Sequence, residues 1–233
     1  DWFTQSMDGL KELLVDCDKS QVAGISFGGQ MHGLVVLDEK DQVIRPAILW
    51  NDGRTVKQTD YLNNVIGKDK LSEYTANIAF AGFTAPKILW MKEEEPENFA
   101  KINKIMLPKD YLAYRLSGSF FPDYSDASGR LLLAGTNRRW PQGMLEICVL
   151  TTCQLPKLYY SPDGRSALLP EIAEELGLPT DVKIIAGAGD NAAAAVGTGT
   201  VGDGQCNISL GTSGTIFISS EKFGVDENNA LHS

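Results

Sequence analysis

Ile184-Ile185-Ala186-Gly187-Ala188-Gly189-Asp190-Asn191-Ala192-Ala193-Ala194-Ala195-Val196-Gly197 is the stretch that decides how this chain is read. Branched apolar residues favour a strand, glycines permit a tight exit from it, and alanine is the strongest helix former. The order predicts a strand over residues 183–186 that runs through Gly187 and Gly189 into a short helix. Asp190 falls at the helix start, which puts one carboxylate at the mouth of a cleft. Two readings of it stay open. Aspartate is a preferred helix N-cap, its oxygen accepting from a free amide two or three residues on. The positive end of a helix also favours an ionised carboxylate, which can orient a hydroxyl and accept its proton late in phosphoryl transfer. That chemistry depends mainly on positioning and charge stabilisation, so a weak base suffices.

Some twenty residues on comes Leu210-Gly211-Thr212-Ser213-Gly214 between two apolar runs. It predicts a hairpin over residues 205–210 and 215–219, with a tight loop needing positive φ at glycine. The same small residues would let backbone amides and hydroxyls approach phosphate oxygens. A carboxylate followed by such a turn suggests ATP-dependent phosphorylation of an alcohol. No Gly-x4-Gly-Lys-Ser/Thr loop occurs, nor any protein-kinase motif set. Gly187-x-Gly189-x-x-Ala192 after a strand also imitates a dinucleotide fingerprint. Against that reading, Asp190 stands where a pyrophosphate would sit, Gly197 and Gly199 cut the helix short, and no strand ending in an acid follows at the ribose-binding distance.

Around this stretch, 233 residues allow one large domain or two small ones with a substantial core. The net charge of −9 and the lack of a Lys/Arg cluster argue against nucleic acid. No apolar run is long enough to span a membrane, and no basic-then-apolar leader is seen, so a cytoplasmic protein is expected. Cys17, Cys148, Cys153 and Cys206 fit no zinc or redox spacing and are expected as buried free thiols. His32 and His232 are the only histidines, which excludes a multi-histidine metal site. Oligomeric state is not legible, and a homodimer stays open.

Phe3, Met7, Leu10 and Leu14 recur at helical spacing. Residues 22–27 predict a buried strand ending at Gly28-Gly29. Residues 32–37 and 43–49 predict a hairpin around Asp38-Glu39-Lys40-Asp41. Thr84 is placed as the cap of a helix with Pro86 in its first turn, running to Glu93-Glu94-Glu95. A strand is expected over 104–107 and a helix over 109–116 closed by Gly118. Further on, the expectations are a strand over 131–133 and helices over 140–149 and 170–176. Strands alternate with helices but hairpins also occur, so the class is α/β with a mixed sheet. The polar, glycine-bearing stretch 197–204 is the expected domain boundary.

Gln30-Met31-His32-Gly33 follows a strand and two glycines. A lone histidine is usually structural and Met31 suits a core. As a set, an amide, an imidazole and accessible backbone suit the hydroxyls of a polyol. Trp50-Asn51-Asp52-Gly53-Arg54 adds polar groups beside an aromatic, whereas Trp90 reads as core.

Taken in order, Gly-Gly-Gln-Met-His-Gly (28–33), Arg-Pro-Ala-Ile-Leu-Trp-Asn-Asp-Gly-Arg (45–54), Gly-Phe-Thr-Ala-Pro-Lys-Ile-Leu-Trp (82–90), Leu-Pro-Lys-Asp-Tyr-Leu (107–112), Ser-Asp-Ala-Ser-Gly (125–129), Gly-Asp-Asn-Ala-Ala (189–193) and Ser-Leu-Gly-Thr-Ser-Gly (209–214) resemble the FGGY carbohydrate kinases. The resemblance covers essentially the whole chain. Gly82-x-Thr84-x-x-Lys87-Ile88-x-Trp90-Met91-x-Glu93-Glu94 fits the first signature of that family.

The resemblance implies an actin-like, ribonuclease H-like ATPase fold of two domains closing over a cleft: residues 1–201 would belong to the sugar-binding N-terminal domain and 202–233 to the start of the nucleotide-binding one. It implies transfer of the ATP γ-phosphate to the 5-hydroxyl of D-xylulose, with Asp190 as proton acceptor. Gln30, Met31, His32, Asp190 and Asn191 would line the sugar site, and Gly211, Thr212, Ser213 and Gly214 would approach the ATP phosphates. Mg²⁺ would bridge phosphate oxygens without direct side-chain ligands. The pair Met31-His32 favours xylulose over glycerol, since glycerol-phosphorylating members place Arg-Glu there; some gluconate-phosphorylating members also carry Met-His. The family's opening Asp-x-Gly-Thr loop, adenine-binding glycine segment and second signature are not found in this sequence. The expectation is an internal piece of a kinase that alone binds ATP poorly and turns over little, with unpaired strand edges and exposed apolar surface.

Overall fold

The computed structural model describes residues 1–134, 139–155, 157–211, 214–226 and 231–232. The chain opens with α1 (Trp2–Leu13), whose Met7 is buried, followed by β1 (Gly24–Ile25), β2 (Gly28–Gly29) and β3 (Val35–Leu37). A helical arm follows: α2 (Val56–Asp60), a π-wound stretch Tyr61–Gly67 and α3 (Lys68–Thr75). Then come α4 (Thr84–Glu94), α5 (Pro96–Phe99), β4 (Lys104–Met106), α6 (Pro108–Ser117), α7 (Tyr124–Ala127), α8 (Gln142–Cys148), β5 (Gly164–Ala167) and α9 (Pro170–Leu176). The chain continues through β6 (Lys183–Ile185), β7 (Ala188–Gly189), α10 (Asp190–Gly197), β8 (Cys206–Leu210) and β9 (Gly214–Ile218).

The sheet is mixed. β1 runs parallel to β6, and β6 pairs antiparallel with β5. β2 and β7 continue the parallel pairing, Gly28 opposite Ala188 and Gly29 opposite Gly189. Gly24 faces Lys183, so the register moves by one residue between the two pairings. The extra residue bulges out at Gly187, whose φ is 73°. A Cβ there would lie 2.2 Å from the Phe27 carbonyl oxygen, so glycine is required both by φ and by space.

Two apolar layers hold this frame. Met7, Leu116, Ile172, Leu176 and Ile184 join α1, α6 and α9 to the sheet. Ile48, Leu62, Ile88, Met91, Leu132, Met144 and Cys148 form a second core under α4 and α8. Full burial of each such aliphatic side chain contributes about 1.5–3 kcal/mol. The hairpin β8–β9 leaves Ile208, Leu210, Ile216 and Ile218 exposed, and β1 pairs on one side only among the described residues.

Several sequence expectations change. The strand expected over 22–27 shrinks to β1. The hairpin around Asp38 survives as two single bridges, Leu34 to Ile48 and Leu37 to Val43, because β3 forms its ladder with β4. Residues 131–133 form no strand: Leu131 takes a φ of 57°, which ends the preceding 3₁₀ turn. Of the four cysteines only Cys148 is buried; Cys17, Cys153 and Cys206 lie in a loop, a surface turn and the outlying hairpin. The helical arm over 56–75 and strand β5 had no expectation at all. No described helix is long and apolar enough to cross a membrane.

Candidate active site

Parallel neighbours deliver their C-terminal ends to the same edge of a sheet, where ligands bind in open α/β folds. β2 leads into Gln30-Met31-His32 and β7 into Asp190-Asn191, so the pairing of Gly29 with Gly189 brings the two segments together. Gln30, Met31, His32, Trp50, Asp190, Asn191 and Thr215 line one cleft of about 290 Å³. Every residue assigned from sequence to a sugar site therefore faces one cavity.

Asp190 is the first residue of α10 and is exposed; Gly189, with no side chain to offer, occupies the N-cap position. The N-cap reading of Asp190 is corrected accordingly. Its carboxylate accepts from the Asn191 backbone amide at 3.1 Å, and the residue lines the cleft. Met31 is buried and forms the floor. The Asn191 side-chain amide meets the Met31 sulfur at 3.9 Å, and a Cβ on Gly189 would stand 2.9 Å from Met31 Cγ.

His32 is held from three sides. Its backbone is left-handed, with φ of 68°, a conformation that costs a non-glycine residue about 1–2 kcal/mol. Its carbonyl accepts from Lys87 Nζ at 2.9 Å and Thr84 Oγ1 at 3.1 Å. Its ring Nδ1 lies 2.8 Å from the Gly129 carbonyl. A carbonyl only accepts, so Nδ1 carries the proton and Nε2 keeps a lone pair. Burial, with Lys87 nearby, pushes the His32 pKa below its usual value, which keeps the ring neutral. Gly129 makes the approach possible, since a Cβ there would lie 2.4 Å from Nδ1. Phe83 stacks at 4.8 Å from the His32 ring, and His232 packs against both rings at 4.8 and 5.6 Å.

Thr84, expected as a helix cap, is instead the first residue of α4 after Phe83. Its hydroxyl is spent on His32. Trp50 stands half-exposed at the cleft, whereas Asp52 and Arg54 pair with each other at 2.7 Å and Arg54 lies over the Trp90 ring. Trp90 packs against the second core.

The turn expected to approach phosphates is reached only in part. Thr212 and Ser213 lie outside the described residues. Gly211 and Gly214 close the hairpin beside Thr215, which lines the cleft. Gly214 is already a ladder residue, paired with Leu210.

Behind the cleft lies a buried charge cluster that no sequence pattern pointed to. Lys109 Nζ pairs with Asp110 at 2.8 Å and Asp123 at 2.9 Å, stands 3.7 Å from Asp126, and donates to the Ala186 carbonyl at 3.2 Å. Arg130 pairs with Asp110. Lys109 Cβ fills the space where a Cβ on Gly29 would be. Asp123 accepts from the Ser125 and Ser161 hydroxyls, and Ser125 Oγ in turn accepts from the Gly189 amide at 3.2 Å. The cluster thus braces both strands that carry the cleft. Burial pushes the Asp126 carboxyl well above the usual carboxylate range, with Asp110 and Asp123 adding to the effect against Lys109 and Arg130. The signal available in sequence was the adjacent Lys109-Asp110 pair in Leu-Pro-Lys-Asp-Tyr-Leu and, further on, the single aspartate of Ser-Asp-Ala-Ser-Gly.

A profile described as "FGGY family of carbohydrate kinases, N-terminal domain" matches residues 1–197. This chain belongs to the FGGY family of carbohydrate kinases, with the actin-like ATPase fold of that family. It is similar to the xylulose kinase of Escherichia coli strain K12, 43% identical over 232 residues, which are 100% of this chain and 47% of that protein. Among solved structures, the ligand-bound xylulose kinase from Lactobacillus acidophilus superposes with a TM-score of 0.93 at 26% identity, covering 98% of this chain and 46% of that one. The gluconate kinase from Lactobacillus acidophilus gives 0.87 at 27% identity, covering 92% and 43%. The chain spans about half the length of the relatives it matches.

Proposed function

We propose that this chain carries the sugar-binding side of an ATP-dependent xylulose kinase, which converts D-xylulose to D-xylulose 5-phosphate. The observation that carries the reading is the shared cleft: Asp190 and His32 emerge from paired parallel strands and line one cavity. The similarity to xylulose kinases over the whole chain supports the choice of sugar. Asp190 at the start of α10 orients the 5-hydroxyl and accepts its proton as the phosphoryl group arrives. Gln30, Met31, His32 and Asn191 hold the sugar: the neutral His32 ring offers Nε2 as an acceptor for a hydroxyl, and Met31 closes the floor. Gly211, Thr212, Ser213 and Gly214 serve the nucleotide phosphates.

ATP and Mg²⁺ are the co-reactants of this reading. Mg²⁺ would accompany the ATP phosphates and offset their charge, and none of this chain's side chains is assigned to it. Residues 1–201 form the sugar-binding domain and 202–233 begin the nucleotide-binding one. The test is sugar-dependent ADP release from the natural polypeptide that carries this sequence, offered a panel of ketoses and gluconate. Release with D-xylulose supports the assignment; release with gluconate alone moves it to the neighbouring specificity, and none with any sugar removes it.

A further inference from the structure

We propose that Lys87 and Thr84 are positioning residues for sugar recognition, acting through the His32 carbonyl to aim the His32 ring into the cleft. The proposal rests on the assignment of that cleft to the sugar. Thr84 and Lys87 lie three residues apart in α4 and therefore share a face. That face meets the left-handed turn at His32, where both side chains donate to one carbonyl oxygen. Lys87 is fully buried. No carboxylate lies within ion-pair distance of it among the described residues, although the Asp52 charge acts on it from farther off; its hydrogen-bond partners are two backbone carbonyls, His32 at 2.9 Å and Gly82 at 2.6 Å. A buried ammonium with no carboxylate in direct contact is costly unless its donors are well placed.

What those two carbonyls have in common is the His32 ring. One belongs to His32 itself. The other belongs to Gly82, directly before Phe83, whose ring stacks on the imidazole at 4.8 Å. Gly82 also packs against the Trp50 carbonyl, where a Cβ would stand 2.8 Å from the oxygen, and Trp50 lines the same cleft. One ammonium thus fixes the backbone under the imidazole, the aromatic beside it and the approach of the tryptophan segment. With Nδ1 tied to Gly129, the ring has no remaining freedom and Nε2 points one way. Such pre-set acceptors favour binding by removing an ordering cost. This accounts for Thr84 and Lys87 in the signature-like segment 82–94, neither of which reaches the cleft.

The experiment is a double-mutant cycle in the natural polypeptide, with sugar and nucleotide affinities measured separately by calorimetry. Lys87→Met should weaken D-xylulose binding about tenfold and leave nucleotide binding within about twofold. In a His32→Ala background the same substitution should add less than about twofold, because the route through the imidazole is gone and only the packing of Gly82 on the Trp50 carbonyl remains. Equal losses in both backgrounds, or wild-type sugar affinity in folded Lys87→Met, would overturn the proposal. Should Lys87→Met fail to fold, Thr84→Val enters the same cycle with the same criteria. A His32→Ala protein with unchanged sugar affinity overturns the assignment of the cleft itself, an outcome distinct from the additive one.

Discussion

Gly29 and Gly189 stand directly opposite each other in the parallel pairing of β2 with β7, and each is the last strand residue before a cleft segment. Their missing side chains serve different neighbours. Space at Gly29 is filled by Lys109, and space at Gly189 by Met31. The pair is thus the point at which the braced interior meets the open site. The bulge at Gly187 shifts the register immediately before it and sets where Asp190 leaves the sheet.

Replacing Gly189 with alanine should disturb the site more than the fold. The new methyl would meet Met31 Cγ at 2.9 Å, and Met31, which lines the cleft, would have to shift. Overpacking of this kind costs about 1–3 kcal/mol. The expected result is a sugar KM raised about tenfold with nucleotide KM unchanged, alongside a small fall in Tm.

Asp190→Asn keeps the shape of the first turn and removes the proton acceptor. Turnover should fall about 10²–10⁴-fold while sugar affinity stays near normal. Steady-state rates together with direct sugar binding decide this. Near-normal turnover would show that another group takes the proton.

The fold was legible in the residues around 184–197 because three local signals agree there: a branched apolar run, positionally fixed glycines and an alanine helix. The cleft was legible for the same reason, since both of its arms are glycine exits from strands. Less could be read where tertiary pairing overrides local pattern. β3 has the alternation of a hairpin strand, yet it forms its ladder with β4, some seventy residues on. Thr84 has the look of a cap, but its hydroxyl bonds the carbonyl of residue 32, and nothing local encodes that. Lys109 and Asp110 lie in one motif and Asp126 in another, with Asp123 and Arg130 flanking the second, and only folding shows that they meet. Thr215 joins the cleft from a hairpin whose approach no spacing announces.

The buried cluster predicts an unusual pH dependence. It holds two cations and three carboxyls, and among the described residues neither Asp126 oxygen has a hydrogen-bond donor. With its pKa raised by burial, Asp126 keeps its proton in the folded state at pH values where the unfolded chain has lost it. The folded state then binds more protons, so stability falls as pH rises from about 4 toward the raised pKa. Asp126→Asn abolishes that proton uptake. Its Tm should exceed the wild-type value by about 2–8 °C at pH 8, and the gap should close on acidification toward pH 4. Thermal melts across this range measure the effect; parallel curves for the two proteins would contradict it.

His32 carries the opposite dependence, read in binding instead of folding. Its pKa is pushed below 6.5 by burial, and its Nδ1 proton is already committed to Gly129. A sugar hydroxyl that donates to Nε2 binds the neutral ring, and filling the cleft removes water that would solvate an imidazolium. Protonation and sugar binding therefore oppose each other. As pH falls from 7 through the depressed His32 value, D-xylulose affinity should fall by up to about tenfold per pH unit, the limit for one competing proton. His32→Gln, which keeps a hydrogen-bonding side chain but cannot titrate, should bind more weakly at pH 7 and lose this slope. Calorimetric titration of sugar into both proteins between pH 5 and pH 7.5 separates the two. A slope of the same size in His32→Gln assigns the dependence to another group and removes His32 Nε2 from the sugar contacts.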